Sequence, residues 1–230
     1  MLDIRPVAGA LGAEIHGLDL CGDIGTEDFL RIRKLLNEYQ VIFFRDQQIS
    51  PANMKALALS FGPVQTHPAY ETVPDYPEIT ILESTAEKPT RIEAWHTDMT
   101  FRQHPPMATM LKSDISPARG GDTLWSSMTA AYDALSFHMQ KFLEELHAIH
   151  DFSWGFKESL AEPGGKERLA DAVAANPPVR HPVVRTHPET GKKGLFINSL
   201  FTTHIEGLRP AESKALLDFL FAHITIDEFT

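Results

Sequence analysis

Between Gly62 and Ile197 the apolar residues gather in short runs separated by turns rich in proline and glycine, and this spacing constrains the fold more than any other feature. Ile79-Thr80-Ile81-Leu82, Ala108-Thr109-Met110-Leu111, Thr123-Leu124-Trp125, Val183-Val184 and Leu195-Phe196-Ile197 are too short for helices and carry many β-branched or aromatic side chains. They read as short strands of a β-rich core. Helical patterns flank and interrupt this core. Thr26 is expected to cap a helix with Phe29, Leu30, Leu35 and Leu36 at helical spacing, followed by a strand at Val41-Ile42-Phe43-Phe44. Ser50-Pro51 offers a cap and a first-turn proline for a second helix ending at Gly62. A helical stretch is expected from about Met128 to His147. A final helix is expected from about Pro210 to His223, with Leu216, Leu217, Leu220 and Phe221 on its apolar side. Residues 153–178, with Pro163-Gly164-Gly165 at their centre, read as a polar, irregular excursion and a candidate lid.

A chain of 230 residues with 43% hydrophobic content suits one domain, taken as residues 1–230. Its 31 acidic and 21 basic residues, with no basic block, argue against a nucleic-acid partner. The single cysteine, Cys21, has no partner for an intrachain disulfide, which fits a reducing cytoplasm. The charges in Met1-Leu2-Asp3-Ile4-Arg5 do not suit a secretory signal, and no apolar run reaches membrane-spanning length, so a soluble protein is expected. Whether the chain forms a homo-oligomer is left open.

The chemistry centres on Trp95-His96-Thr97-Asp98. Residues two apart in a strand point to the same face, so the His96 imidazole and the Asp98 carboxylate are able to converge on one ion. A non-haem Fe(II) oxygenase uses two histidines and one carboxylate on one face of the metal, leaving positions open for other ligands. His96 and Asp98 would supply two of the three. A histidine and an aspartate two apart are also common in turns and surface ion pairs, so the motif is weak by itself.

Its context is more specific. Trp95-His96-Thr97-Asp98-Met99-Thr100-Phe101 and Gly120-Gly121-Asp122-Thr123-Leu124-Trp125 closely resemble two signatures of the taurine dioxygenase (TauD/TfdA) family of Fe(II)/2-oxoglutarate-dependent dioxygenases. The likeness extends to His67-Pro68-Ala69-Tyr70, His150-Asp151-Phe152, the run from His181 to Pro188, and Leu195-Phe196-Ile197-Asn198 leading to Phe201-Thr202-Thr203. It implies an α+β fold with a mainly β core, a double-stranded β-helix or jelly roll flanked by helices. It also implies Fe(II) as cofactor and 2-oxoglutarate as cosubstrate, with O2 and a small anionic organic molecule as the other reactants. Thr123 would donate its hydroxyl to 2-oxoglutarate, His67 and Tyr70 would face the substrate, and Phe156 and Phe201 would line its chamber. Outside that context Thr123 reads as an ordinary strand residue, His67 as a loop histidine, Tyr70 as a partly buried tyrosine, and the two phenylalanines as core.

The family's second iron-ligating histidine, the arginines that clamp 2-oxoglutarate and substrate, and two barrel strands fall after the segment matching Phe221 to Phe229. A domain truncated at its C-terminal end is therefore expected. His204 and His223 are the nearest candidates to replace the missing ligand, though neither matches its place in the pattern. Taurine enzymes carry an asparagine where this chain has Ile92, and loss of one hydrogen bond to a charged group is worth about 1.5–3 kcal/mol. That shifts the expected substrate from taurine toward alkyl sulfonates or sulfate esters, oxidised with release of sulfite or sulfate. An aryloxyalkanoate or other small carboxylate is the alternative within the family. A non-catalytic barrel or inactive fragment is the alternative outside enzymes.

Overall fold

A computed structural model describes residues 2–85, 87 and 93–230. The chain opens with β1 (Asp3–Pro6) and β2 (Ala13–His16), which pair antiparallel. α1 (Thr26–Tyr39) follows, and β3 (Ile42–Phe43) joins β2 in parallel. α2 (Pro51–Phe61) leads to the hairpin of β4 (Thr72–Val73) and β5 (Tyr76–Thr80). The expected helix from Met128 is two helices, α3 (Met128–Asp133) and α4 (Phe137–Glu144), because Ser136 caps a new start by accepting from Met139 N. β6 (His147–His150) comes next.

Four short helices then replace the irregular excursion expected at 153–178: α5 (Phe152–Gly155), α6 (Lys157–Ala161), α7 (Gly165–Arg168) and α8 (Ala170–Ala175). Buried Phe152 anchors α5, and buried Leu169 and Ala172 anchor the α7–α8 end, a spacing too uneven to show as a period, while α6 buries no residue. β7 (Val179–Pro182), β8 (Val184–Thr186), β9 (Lys193–Leu195) and β10 (Thr202–Ile205) precede α9 (Pro210–His223) and a 3-10 turn at Asp227–Phe229.

Two expectations about local starts and strands are corrected. Thr26 lies inside α1; the cap is Gly25, whose carbonyl accepts from Phe29 N at 3.0 Å without any side-chain bond. Ala108–Leu111 and Thr123–Trp125 are not strands: a strand needs a partner ladder, and none of the described strands pairs with either run. Ile81 and Leu82 likewise fall beyond β5 and are exposed. The local signals at Ser50 and Gly62 hold. Ser50 Oγ accepts from Asn53 N at 3.1 Å, and Gly62 ends α2 with φ 145°, a conformation that glycine permits.

The central sheet has the order β10-β6-β7, antiparallel throughout. Alternation along β6 turns Ala148 and His150 inward. On one side the main core joins Leu143, Val183, Leu195, Ile197, Ile205, Leu217 and Leu220 from α4, the strands and α9. α9 is tied to β10 by Ser213, whose buried Oγ accepts from Ile205 N at 2.8 Å. A second, aromatic core joins Met99, Phe101, Phe152 and Phe201, and the site lies beside it. The described strands form four small sheets and no closed barrel. Among the described residues no helix is long and apolar enough to cross a membrane.

Candidate active site

His96 and Asp98 do not lie on a strand. The chain is irregular through Trp95-His96-Thr97 and turns from Asp98 to Phe101, with Arg102 N donating to Met99 O at 3.0 Å. Met99 adopts φ 52°, a left-handed conformation uncommon for a residue with a side chain. Burial of Met99 in the aromatic core holds it there. The turn achieves the convergence that strand alternation was expected to supply: His96 Nε2 stands 3.2 Å from Asp98 Oδ1.

Both groups are held from behind. His96 Nδ1 donates to Ala94 O at 2.8 Å, leaving Nε2 to face the carboxylate, and Asp98 Oδ2 accepts from Thr109 Oγ1 at 2.8 Å. Ser199 Oγ, far along the chain, donates to Trp95 O at 3.1 Å. The hydrogen bond to Asp98 raises the pKa of His96 against the opposing effect of burial, and the same bond lowers that of Asp98. Each group thus favours the charged form of the other, and a cation bound between them would take the place of a proton on Nε2. This donor set suits two of the three places of a facial Fe(II) site. Among the described residues no group of three histidine, cysteine, aspartate or glutamate side chains is placed to hold a metal. His204 turns Nδ1 to Thr203 Oγ1 at 2.9 Å, and His223 joins α9 to α3 through Ala131 O at 2.7 Å, so neither completes the set.

The four expected substrate residues lie together beside this pair. The His67 ring is 4.5 Å from that of Tyr70 and 5.8 Å from that of Phe156, between centroids. Phe156 stacks on Phe152 at 4.5 Å and stands 6.4 Å from Phe201. Burial pushes the His67 pKa down to about 4, opposed by the negative charge of Asp98 and aided by Arg102. The ring is neutral at pH 7, and because Nδ1 accepts from Ala69 N at 3.2 Å, its proton sits on Nε2. Tyr70 is held protonated by burial first and Asp98 second. The arrangement is an imidazole–carboxylate pair next to two neutral hydrogen-bond donors and an aromatic wall.

Thr123 takes no part in the hydrogen bonds of the pair. It is exposed in the irregular run after Gly121. Ile92 lies outside the described residues. Sequence reading also missed a buried polar group behind the turn: Thr100, His150, His181, Asn198 and Thr202, each at most 5% exposed. His150 and His181 stood in the quoted motifs, but nothing in spacing could reveal that they meet Thr100.

A family model described as "Taurine catabolism dioxygenase TauD, TfdA family" matches residues 3–230. The chain belongs to the TauD/TfdA family. It is 34% identical over 235 residues to an alkylsulfatase of Acinetobacter baylyi, covering 100% of this chain and 73% of that protein. It is 32% identical over 228 residues to an alpha-ketoglutarate-dependent sulfate ester dioxygenase of Pseudomonas putida, covering 97% and 75%. The crystal structure of a taurine dioxygenase from Burkholderia xenovorans superposes with a TM-score of 0.81 at 33% identity, covering 99% of this chain and 74% of that one. Membership makes this TauD/TfdA chain a jelly-roll protein with flanking helices and a dioxygenase dependent on Fe(II) and 2-oxoglutarate, although its described strands stop short of a closed barrel.

Proposed function

We propose that this dioxygenase hydroxylates a small organosulfur anion, an alkyl sulfate ester or alkyl sulfonate, in the cytoplasm. The observation that carries the reading is the approach of His96 Nε2 to Asp98 Oδ1 beside the neutral donors His67 and Tyr70. His96 Nε2 and the Asp98 carboxylate would hold the iron, and Thr123 would donate its hydroxyl to 2-oxoglutarate. Bound Fe(II) with 2-oxoglutarate and O2 supplies the oxidising power that converts a substrate C–H to C–OH, yielding succinate and CO2.

The protein's own contribution is orientation. His67 Nε2–H and the Tyr70 hydroxyl donate to anionic oxygens of the substrate, and neither needs to carry charge to do so. Phe156 and Phe201 shield the alkyl chain from water and keep its first carbon toward the metal-facing pair. The short helices of residues 153–178, which carry Phe156, act as the lid over this chamber. Hydroxylation at the carbon bearing the sulfur group gives an unstable product that separates into an aldehyde and sulfite or sulfate. Similarity to an alkylsulfatase and a sulfate ester dioxygenase supports sulfate esters ahead of taurine.

The test is a panel of alkyl sulfate esters, alkyl sulfonates and aryloxyalkanoates, scored for succinate together with sulfate, sulfite or phenol release. Sulfate release that disappears with Asp98→Ala is the expected result. Succinate formation unchanged in Asp98→Ala would refute the metal site, and turnover of aryloxyalkanoates alone would refute the substrate class.

A further inference from the structure

The turn that carries Asp98 is fixed through the residue two places on. Thr100 is 1% exposed, and both its polar ends are engaged: His181 Nε2 donates to its carbonyl at 2.9 Å, while its hydroxyl meets Asn198 Nδ2 at 3.0 Å and His150 Nδ1 at 2.9 Å. The direction of the Asn198 bonds follows from one that allows no choice. Phe201 N, 2.8 Å from the Asn198 side chain, is only a donor, so Asn198 Oδ1 must face it and Nδ2 must face Thr100. Thr100 Oγ1 then accepts from Asn198 Nδ2 and shares a second hydrogen bond with His150 Nδ1.

Asn198, 2% exposed, thus spans two functional elements with one amide. Its nitrogen holds the turn of Asp98, and its oxygen holds the backbone of Phe201 in the chamber wall. Its own N–H donates to Thr202 Oγ1 at 3.0 Å, which locks the 198–202 turn from which the amide projects. In a site closed to water such bonds resist rearrangement, so a shift at Asn198 is passed to both partners.

We propose that Asn198 is a positioning residue for the iron-binding pair, setting the Asp98 carboxylate through Thr100 and the aromatic wall through Phe201. The inference rests on the proposed metal site and adds a determinant that lies outside it.

Co(II), an air-stable substitute for Fe(II) with a visible absorption of its own, tests this on the full protein in the presence of 2-oxoglutarate. Asn198→Asp at about pH 8 keeps the acceptor for Phe201 N and replaces the donor to Thr100 with a carboxylate oxygen that carries negative charge. Thr100→Val removes the hydroxyl at constant shape, and Thr100→Ser restores it. Loss of a residue that orients a metal ligand costs about 10–100-fold in metal affinity. Asn198→Asp and Thr100→Val are therefore expected to weaken Co(II) binding at least about tenfold and to shift its visible band. Thr100→Ser should stay within about twofold of wild type, a recovery that general loosening of the core would not give. If Thr100→Val does not fold by circular dichroism, Asn198→Asp decides. Wild-type Co(II) binding that requires His96, with unchanged affinity and band in the folded variants, overturns the positioning role alone. Wild-type protein that takes up no Co(II), or whose uptake survives His96→Ala, overturns the metal site and the proposal with it.

Discussion

Acidifying the metal-free protein from about pH 7.5 to about pH 5 should cost the fold about 2 kcal/mol through His150 alone. The ring is fully buried, and burial first, then the facing charge of His181, hold its pKa down to about 3. In the unfolded chain the same imidazole titrates near 6.5. Between these values the unfolded state binds a proton that the native ring refuses. The contribution is thus complete above about pH 6.5 and is lost as pH falls toward 3, at about 1.4 kcal/mol per unit; pH 5 lies roughly 1.5 units into that window. His67, lowered to about 4, and His181, also lowered, act in the same direction, while His96, raised, acts against them. Urea unfolding of wild type and His150→Gln, followed by tryptophan fluorescence in chelator at several pH values, isolates the term. The variant starts less stable but should lose about 2 kcal/mol less over the interval. Parallel stability curves for the two proteins would refute a buried neutral His150.

Four further substitutions probe the scaffold. A Cβ at residue 155 would sit within 2.6 Å of the Phe201 ring, so Gly155→Ala should cost about 1–3 kcal/mol and lower the melting temperature. Ser50→Ala removes the bond to Asn53 N and should cost about 1 kcal/mol in chemical denaturation, whereas Thr26→Ala, outside the cap of α1, should cost clearly less. Leu220, fully buried between α9 and the strands, should cost about 2–5 kcal/mol when truncated to alanine, read as a shift in urea midpoint at constant slope.

What could be read from sequence was what local rules decide. α2 and α9 run where a capping serine, first-turn prolines and apolar spacing placed them. Ala108–Leu111 and Thr123–Trp125 have strand-like composition, yet composition does not provide a partner, and these runs remain irregular. The excursion at 153–178 failed in the opposite sense, because its short helices carry single buried anchors, or in α6 none, rather than a repeating face. At the site, His96 and Asp98 were recognisable from their motif, while the device that joins them, a left-handed turn at Met99, was not. His67, Tyr70, Phe156 and Phe201 were grouped by resemblance, and their rings do gather in space. Thr109 and Asn198 stood in the quoted runs with no role assigned, because each acts on a partner elsewhere along the chain through one hydrogen bond.

That distance has a consequence for how the molecule comes into being. Thr100 meets its partners 50, 81 and 98 positions later, and Trp95 meets Ser199 104 positions later. Closing loops of this length costs entropy that is recovered only when β6, β7 and the 198–202 turn have docked, so the geometry of the His96–Asp98 pair belongs to the late stages of folding. At about 5–20 residues per second of synthesis, Asp98 leaves the ribosome roughly 5–20 s before the residues that orient it. Throughout that interval the nascent chain carries its histidine and its carboxylate without the shape that makes them a pair.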